Sequence, residues 1–269
     1  MEAISNGVNQ TALITGGSSG IGLELAKVFA KNGYELILVA RSEQELNAAA
    51  ADLQTRHEIK INTFAADLSA ISGPQAVYNF CKQQNLQVHV LVNNAGFGVY
   101  GPFLNQNLQK QLNMLDLNIR ALTELTGLFA APMVERKSGK ILNVASTAAF
   151  QPGPFFATYY ASKAYVLSLS KALRSELNGY GISVTCLCPG PTKTAFFNKD
   201  PAMKNTRLIG KGNLMQPGLV AEYAYNALMK NQAVVIPGFY NKFLAFGAKI
   251  LPANLVTAIS RWTLEKYNP

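Results

Sequence analysis

Three side chains in the middle of the chain have the types and spacing of proton-transfer chemistry. Ser146 closes a short apolar run, Tyr159 follows 13 residues later, and Lys163 stands 4 residues beyond that. Residues four apart share one face of a helix, so a phenol and an ammonium would lie side by side there. Tyrosine near its ordinary pKa of about 10 is a poor base at neutral pH. A neighbouring cation stabilises the phenolate and lowers that value. Tyr159 could then give a proton to a carbonyl oxygen as hydride arrives, or take one from an alcohol in reverse. Ser146 would hold the substrate oxygen. Tyr160 is the competing phenol, recommended only by its offset of 3 from Lys163. A Tyr/Lys pair on a helix is ordinarily packing plus a solvated charge; the serine at the strand end ahead of it sets this one apart.

Hydride needs a carrier, and the first apolar run leads into a place to hold one: Thr15-Gly16-Gly17-Ser18-Ser19-Gly20-Ile21-Gly22. Gly16, Gly20 and Gly22 let the backbone turn tightly and approach a pyrophosphate, while Ser18, Ser19 and Ile21 lead into a helix whose free N–H groups favour an anion. The second run ends Val39-Ala40-Arg41-Ser42, where an NAD site ordinarily carries a carboxylate for the ribose 2′-hydroxyl. Here Ala40 is followed by a cation that could pair with a 2′-phosphate, which favours NADP(H) over NAD(H). The plainer alternative is that Arg41 is a surface charge. Asp67 and Leu68 after the third run could meet the adenine, although Asp67 as a helix N-cap is the competing assignment. Asn93-Asn94-Ala95-Gly96 after the fourth could line the adenosine ribose and brace the sheet centre. Pro189, Gly190, Thr192 and Thr194 after the sixth could wrap the nicotinamide, whose positive oxidised form would further lower the Tyr159 pKa.

These groups sit at the ends of apolar runs because the whole chain alternates. Strand-like runs at residues 12–15, 35–40, 60–65, 88–92, 140–145, 182–188 and 233–236 are mostly continuous, as parallel strands covered on both faces are. Between them the sequence predicts helices from about residue 21 to Gly33, then over 43–54, 73–84, 107–137, 156–179 and 217–230. Ser42 with Glu45 is a capping box for the second of these. The pattern is that of an α/β protein: one Rossmann-type doubly wound domain over residues 1–269, with a seven-stranded parallel sheet and helices on both faces. Residues 189–216 break the alternation as a long lid-like segment, and residues 239–269 add two short amphipathic helices.

Composition narrows the classes. The 269 residues are 49% hydrophobic and 14% charged, with a mean hydropathy of +0.09, which excludes a disordered chain. Three cysteines and two histidines exclude a disulfide scaffold and argue against a structural zinc site, so no metal is expected. Cys186 and Cys188 lie in a strand-like run and read as reduced core residues of a cytoplasmic protein. Residues 1–9 do not read as a signal peptide, and the longest uncharged stretch, 141–162, is too polar and proline-broken to span lipid. The net charge of +9 fits an anionic ligand, an anionic surface or a generally basic exterior. Its cations are too scattered for nucleic acid.

The motif set resembles the short-chain dehydrogenase/reductase family, in the family's order over roughly residues 11–195. It comprises the Thr15–Gly22 glycine motif, Asp67, Asn93-Asn94-Ala95-Gly96, Asn118, Ser146, Tyr159-Tyr160-Ala161-Ser162-Lys163, Pro189-Gly190 and Thr194. The resemblance implies an oxidoreductase acting on CH–OH and C=O groups, with Asn118, Ser146, Tyr159 and Lys163 catalytic. Asn118, within the predicted helix 107–137, would hold a water joining Lys163 to a proton relay. Reduction by NADPH is the implied working direction. A homodimer or homotetramer through the helices at 107–137 and 156–179 is implied too. Thr192 departs from the aliphatic residue usual at its position.

Phe97, Val99, Tyr100, Phe103, Phe150, Phe155, Phe156, Phe196 and Phe197 border the expected pocket, about half of them expected to be core. A pocket so lined suits an apolar ketone, aldehyde or alcohol, of the acyl or steroid-like kind. Two other classes stay open: a binding module that holds NADP(H) without turnover, and a protein peripheral to a membrane. For the second, Lys242, Lys249, Arg261 and Lys266 accompany the aromatics of the tail, which could equally close the pocket or form a subunit contact.

Overall fold

Seven apolar runs become seven parallel strands because alternate side chains of each find a separate core. In β1, Thr11–Thr15, Ala12 and Ile14 point into one layer and Leu13 into the other, and all five residues are buried. The computed structural model describes residues 7, 9–196, 203, 205–210 and 214–265. Phe197, Lys266, residues 1–6 and the middle of segment 189–216 lie outside the described residues.

The other strands are β2 (Glu35–Ala40), β3 (Ile61–Ala65), β4 (Val90–Asn93), β5 (Gly139–Val144), β6 (Ile182–Leu187) and β7 (Val234–Val235). All pairings are parallel, in the order β3-β2-β1-β4-β5-β6-β7. Leu13 stands between Ile37 of β2 and Leu91 of β4, which fixes the register at the sheet centre. The chain winds outward from β1 to β3 and then restarts on the other side at β4. That reversal opens a crevice at the strands' carboxyl ends.

Helices α1 (Gly20–Lys31) and α2 (Glu43–Arg56) pack on one face with Pro217–Met229. Ser42 caps α2 by accepting from the Glu45 N–H at 3.2 Å, as the capping box predicts. Helix α3 (Gly73–Gln83) covers the other face with the helices that follow. The long helix expected over 107–137 runs unbroken from Leu108 to Glu135 but is not regular. It divides into α4 (Leu108–Leu115), a π-helical turn (Asp116–Ala121) and α5 (Leu122–Glu135). An inserted residue widens the turn at Asn118, which a hydrophobic period of 3.6 does not register.

Helix α6 (Ala157–Asn178) carries the tyrosine and lysine. After β6 the two ends of segment 189–216 close on one another: the Lys193 N–H donates to Met215 O at 2.9 Å and the Met215 N–H to Pro191 O at 3.1 Å. Helix α7 (Pro217–Met229) leads through β7 to α8 (Phe239–Ile250) and α9 (Ala253–Leu264). Cys81, Cys186 and Cys188 are free and buried, the last two with Sγ atoms 3.8 Å apart.

Candidate active site

A cleft of about 1540 Å³ opens at the carboxyl ends of the strands. The glycine loop between β1 and α1 forms its floor. Gly16 and Gly20 adopt φ of +65° and +56°, and a methyl group on Gly22 would overlap the Gly16 carbonyl, so this backbone fits without side chains. Thr15 and Asn94 hold the loop against β4. The Thr15 hydroxyl accepts from the Asn94 and Ala95 N–H groups, both at 3.0 Å, and Asn94 Nδ2 donates to Thr15 O at 2.8 Å. Bracing of the sheet centre is therefore what Asn94 visibly does. Asn93 continues it, donating to Thr126 Oγ1 and Asn143 Oδ1. Gly16, Ser18, Ser19, Gly20 and Ile21 all line the cleft.

Arg41 is exposed at one end of the cleft, beside Asp67. Asp67 accepts from the Ser69 hydroxyl at 2.6 Å and the Ser69 N–H at 2.9 Å. These bonds, with Arg41 nearby, hold its carboxyl below the usual range. Asp67 does not cap α3, whose N-cap is Ser72. Leu68 lines the cleft but is buried in the core with Leu13 and Val39.

At the other end stand the reacting groups expected from spacing. Ser146, Tyr159 and Lys163 line the cleft together with Ala95 and Gly96. The Tyr159 ring is stacked on Phe156 with centroids 4.4 Å apart, and Lys163 Nζ stands 5.7 Å from the Tyr159 ring centre. The pair share a face, as the spacing requires, but the ammonium addresses the ring and donates to Val144 O at 2.9 Å. Its expected effect on the phenol does not appear among the chain's own groups. Burial pushes the Tyr159 phenol up, and a hydrogen bond with Ser146 only partly offsets it. The same burial lowers Lys163 to about 8. Loss of water outweighs the mutual help of two groups that are both enclosed.

Asn118 reaches this wall from the π turn. Its Oδ1 accepts from the Phe97 N–H at 3.2 Å, while Nδ2 donates to Phe97 O at 3.0 Å and Ser162 Oγ at 3.1 Å. A methyl group on Gly96 would lie 3.0 Å from Asn118 Oδ1 and 3.5 Å from Lys163 Nζ, so Gly96 is the gap between them. Pro189, Gly190, Thr192 and Thr194 line the cleft. Thr192 is buried, and its hydroxyl is spent on Gly190 O at 2.9 Å.

Of the aromatics expected at the pocket, Phe97, Phe156 and Phe196 line the cleft. Val99 is core, and Tyr100, Phe103, Phe150 and Phe155 turn elsewhere. Missing from the expected pocket are Met203, Leu208, Tyr240, Leu244, Ile259 and Trp262, which line it from segment 189–216 and the last two helices. The amphipathic pattern of residues 239–264 is the only signal of the last four; Met203 and Leu208 have none. Arg207 fastens this roof, stacking 5.1 Å from the Trp262 ring, donating to Trp262 O at 2.9 Å and pairing with Glu265 at 3.5 Å. Tyr100 OH donates to Leu264 O.

Residues 10–205 match the family model for the short chain dehydrogenases. A very-long-chain 3-oxoacyl-CoA reductase of Phaeosphaeria nodorum is 38% identical over 65% of this chain and 53% of its own length. That of Pyrenophora tritici-repentis is 38% identical, again over 53% of its length, so the chain spans about half of these two curated relatives. The ketoacyl reductase HetN of a Nostoc species is 31% identical over 94% of this chain and 88% of its own. Among solved structures, a short-chain dehydrogenase from Sphingobium yanoikuyae in complex with NADPH is 32% identical, with a TM-score of 0.79 over 86% of this chain and 89% of its own. A bulky-bulky ketone specific alcohol dehydrogenase from Comamonas testosteroni is 31% identical, with a TM-score of 0.76 over 87% of this chain and 90% of its own. With its glycine loop, doubly wound sheet and Ser-Tyr-Lys wall, the chain belongs to the short-chain dehydrogenase family of oxidoreductases.

Proposed function

We propose that this chain reduces an apolar ketone, foremost a 3-oxoacyl compound, with NADPH as hydride donor and Tyr159 as proton donor. The observation that carries the reading is the meeting of a glycine cradle, an exposed Arg41 and the Ser146, Tyr159 and Lys163 side chains in one cleft. The cradle fits a dinucleotide: Ser19 makes no side-chain cap to α1, so the first-turn N–H groups are left for a pyrophosphate. Arg41 would meet the 2′-phosphate, since β2 ends in Ala40 and not a carboxylate; Glu45 and Asp67 also line the cleft. When bound, the reduced nicotinamide supplies the hydride and, unlike its oxidised form, brings no positive charge that would acidify the phenol.

The chain's own residues supply the rest. Because burial favours the neutral phenol, Tyr159 enters the reaction protonated, as reduction requires. It gives that proton to the substrate oxygen. Ser146 Oγ accepts from the Ala148 N–H at 3.1 Å and donates to Pro189 O at 3.4 Å; turned from that long bond, its hydrogen would reach the same substrate oxygen. Lys163, its Nζ 5.7 Å from the Tyr159 ring centre, would hold a positive charge beside the phenol and would orient the cofactor ribose. The Asn118 amide is occupied by Phe97 and Ser162, so its side chain positions this wall; the water between Lys163 and solvent is what the family resemblance implies. The aromatic and aliphatic lining suits the bulky ketones and 3-oxoacyl groups named for its relatives.

The test is NADPH consumption by the purified chain across 3-oxoacyl thioesters and bulky aryl and alkyl ketones. Tyr159→Phe is expected to lose about 10²- to 10⁴-fold in kcat while still binding NADPH. A wild-type chain that binds NADPH yet reduces none of the panel would make it a binding module instead.

A further inference from the structure

The two tail helices show the reverse of the usual amphipathic arrangement. On α8, Phe239, Phe243, Phe246 and Ile250 fall at helical spacing on one stripe, and they are 87%, 65%, 62% and 65% exposed. On α9, Leu255, Ile259 and Trp262 form a second exposed stripe, while the small Ser260 is buried with Val256 and Leu264. A surface helix in water ordinarily turns its polar face outward. Neither helix carries an acidic residue. Their charges are Lys242, Lys249 and Arg261, the last paired with Glu265 just past the helix end at 3.2 Å. Among the described residues no helix is long and apolar enough to cross a membrane.

We propose that the outer face of α8 and α9 is a docking surface for an anionic lipid bilayer, which lies across the mouth of the cleft. The apolar stripes would enter the boundary between headgroups and acyl chains, and Lys242 would meet lipid phosphates, as would Lys249 on leaving the Phe150 ring that its Nζ overlies at 5.2 Å. Charge decides for lipid over a second copy of this chain: a two-fold contact through this face would bring two basic faces together with no acid on either helix to answer them. Tyr240, Leu244, Ile259 and Trp262 both line the cleft and reach this surface. The docked molecule would therefore open its cleft where apolar ketones partition. That last step rests on the proposed reaction; the docking itself does not.

The chain has one tryptophan, Trp262, and it lies on this face, so it reports docking directly. The full chain is sedimented with phosphatidylcholine vesicles with and without phosphatidylserine, and Trp262 emission is followed with acyl-brominated lipid. Expected are pelleting that depends on phosphatidylserine, a blue shift, and quenching by the brominated chains. Phe243→Ser with Phe246→Ser should lower the partition coefficient at least about tenfold. Lys242→Glu should remove part of the phosphatidylserine dependence. None of these three side chains lines the cleft, so NADPH-dependent reduction of a small soluble ketone should be unchanged in all variants. Loss of that activity in the wild type would refute the proposed reaction and leave docking standing. A wild-type chain that stays in the supernatant overturns the docking, as does vesicle binding unaffected by the substitutions. If the serine pair instead converts a concentration-dependent dimer to monomer, the face is an interface between copies.

Discussion

Lys163 is 5% exposed, and burial lowers its ammonium from 10.5 to about 8. A lysine depressed in the fold opposes stability wherever it is charged. Below about pH 8 it is protonated in both folded and unfolded chains, and the fold carries the full penalty. Between about 8 and 10.5 the folded chain sheds its proton first, and stability from this group rises with pH. Lys163→Met keeps the volume and removes the charge. It should be as stable as the wild type or about 1–3 kcal/mol more so near neutral pH, with the gap closing toward about pH 10 and turnover lost. Thermal unfolding at the two pH values checks it; a variant clearly weaker at neutral pH would mean that the bond to Val144 outweighs the burial. Arg41 makes the complementary residue-scale case, because it is exposed and acts through charge alone. Arg41→Asp should weaken NADPH binding about 10- to 100-fold and narrow or reverse the preference over NADH. Affinities for both cofactors decide it, and an unchanged ratio would remove Arg41 from the site.

At the scale of the element, the π turn is what brings Asn118 to Phe97 and to Ser162, the neighbour of Lys163. Within a regular helix one residue fewer would separate Met114 from Leu122, and the Asn118 amide would rotate away from Phe97 and Ser162. Deleting Ile119 should therefore regularise the helix. It should leave far-ultraviolet helicity and NADPH binding intact and lower kcat at least about 100-fold, since a displacement of about 1 Å at a catalytic wall has that effect. Loss of folding together with loss of activity would show that the turn is structural and not a positioning device. This turn was not legible beforehand because residues 107–137 keep an apolar stripe throughout, and one added residue hides inside it. The strands were legible for the opposite reason. Runs such as Glu35–Ala40 are buried on both faces by their neighbours, so composition alone marks them, whereas β7 pairs only Val234 and Val235, one residue short of the apolar run at each end.

Across the whole molecule, what could be read was local and what could not was distant. The glycine loop, Ser146 and the Tyr159/Lys163 pair each declare themselves within a few residues, and a parallel sheet gathers them by rule at one edge. The roof is built from contacts between remote segments, such as Tyr100 with Leu264 and Arg207 with Trp262, which no window of sequence contains. It also lies largely beyond the residues 10–205 that match the family model. The join between this roof and the cofactor wall is Gly190. A methyl group there would overlap the Asn241 side-chain amide, which α8 holds by donation to Pro237 O at 2.8 Å. Gly190→Ala should push α8 outward and raise KM for the ketone several-fold, with a smaller effect on NADPH affinity. If the collision is the cause, Asn241→Ala in the same chain should recover most of the loss, a coupling of about 1–2 kcal/mol in a double-mutant cycle. Additive losses would instead place the damage in the Pro189-Gly190 backbone itself, and the tail would then be a cover that the cofactor wall does not feel.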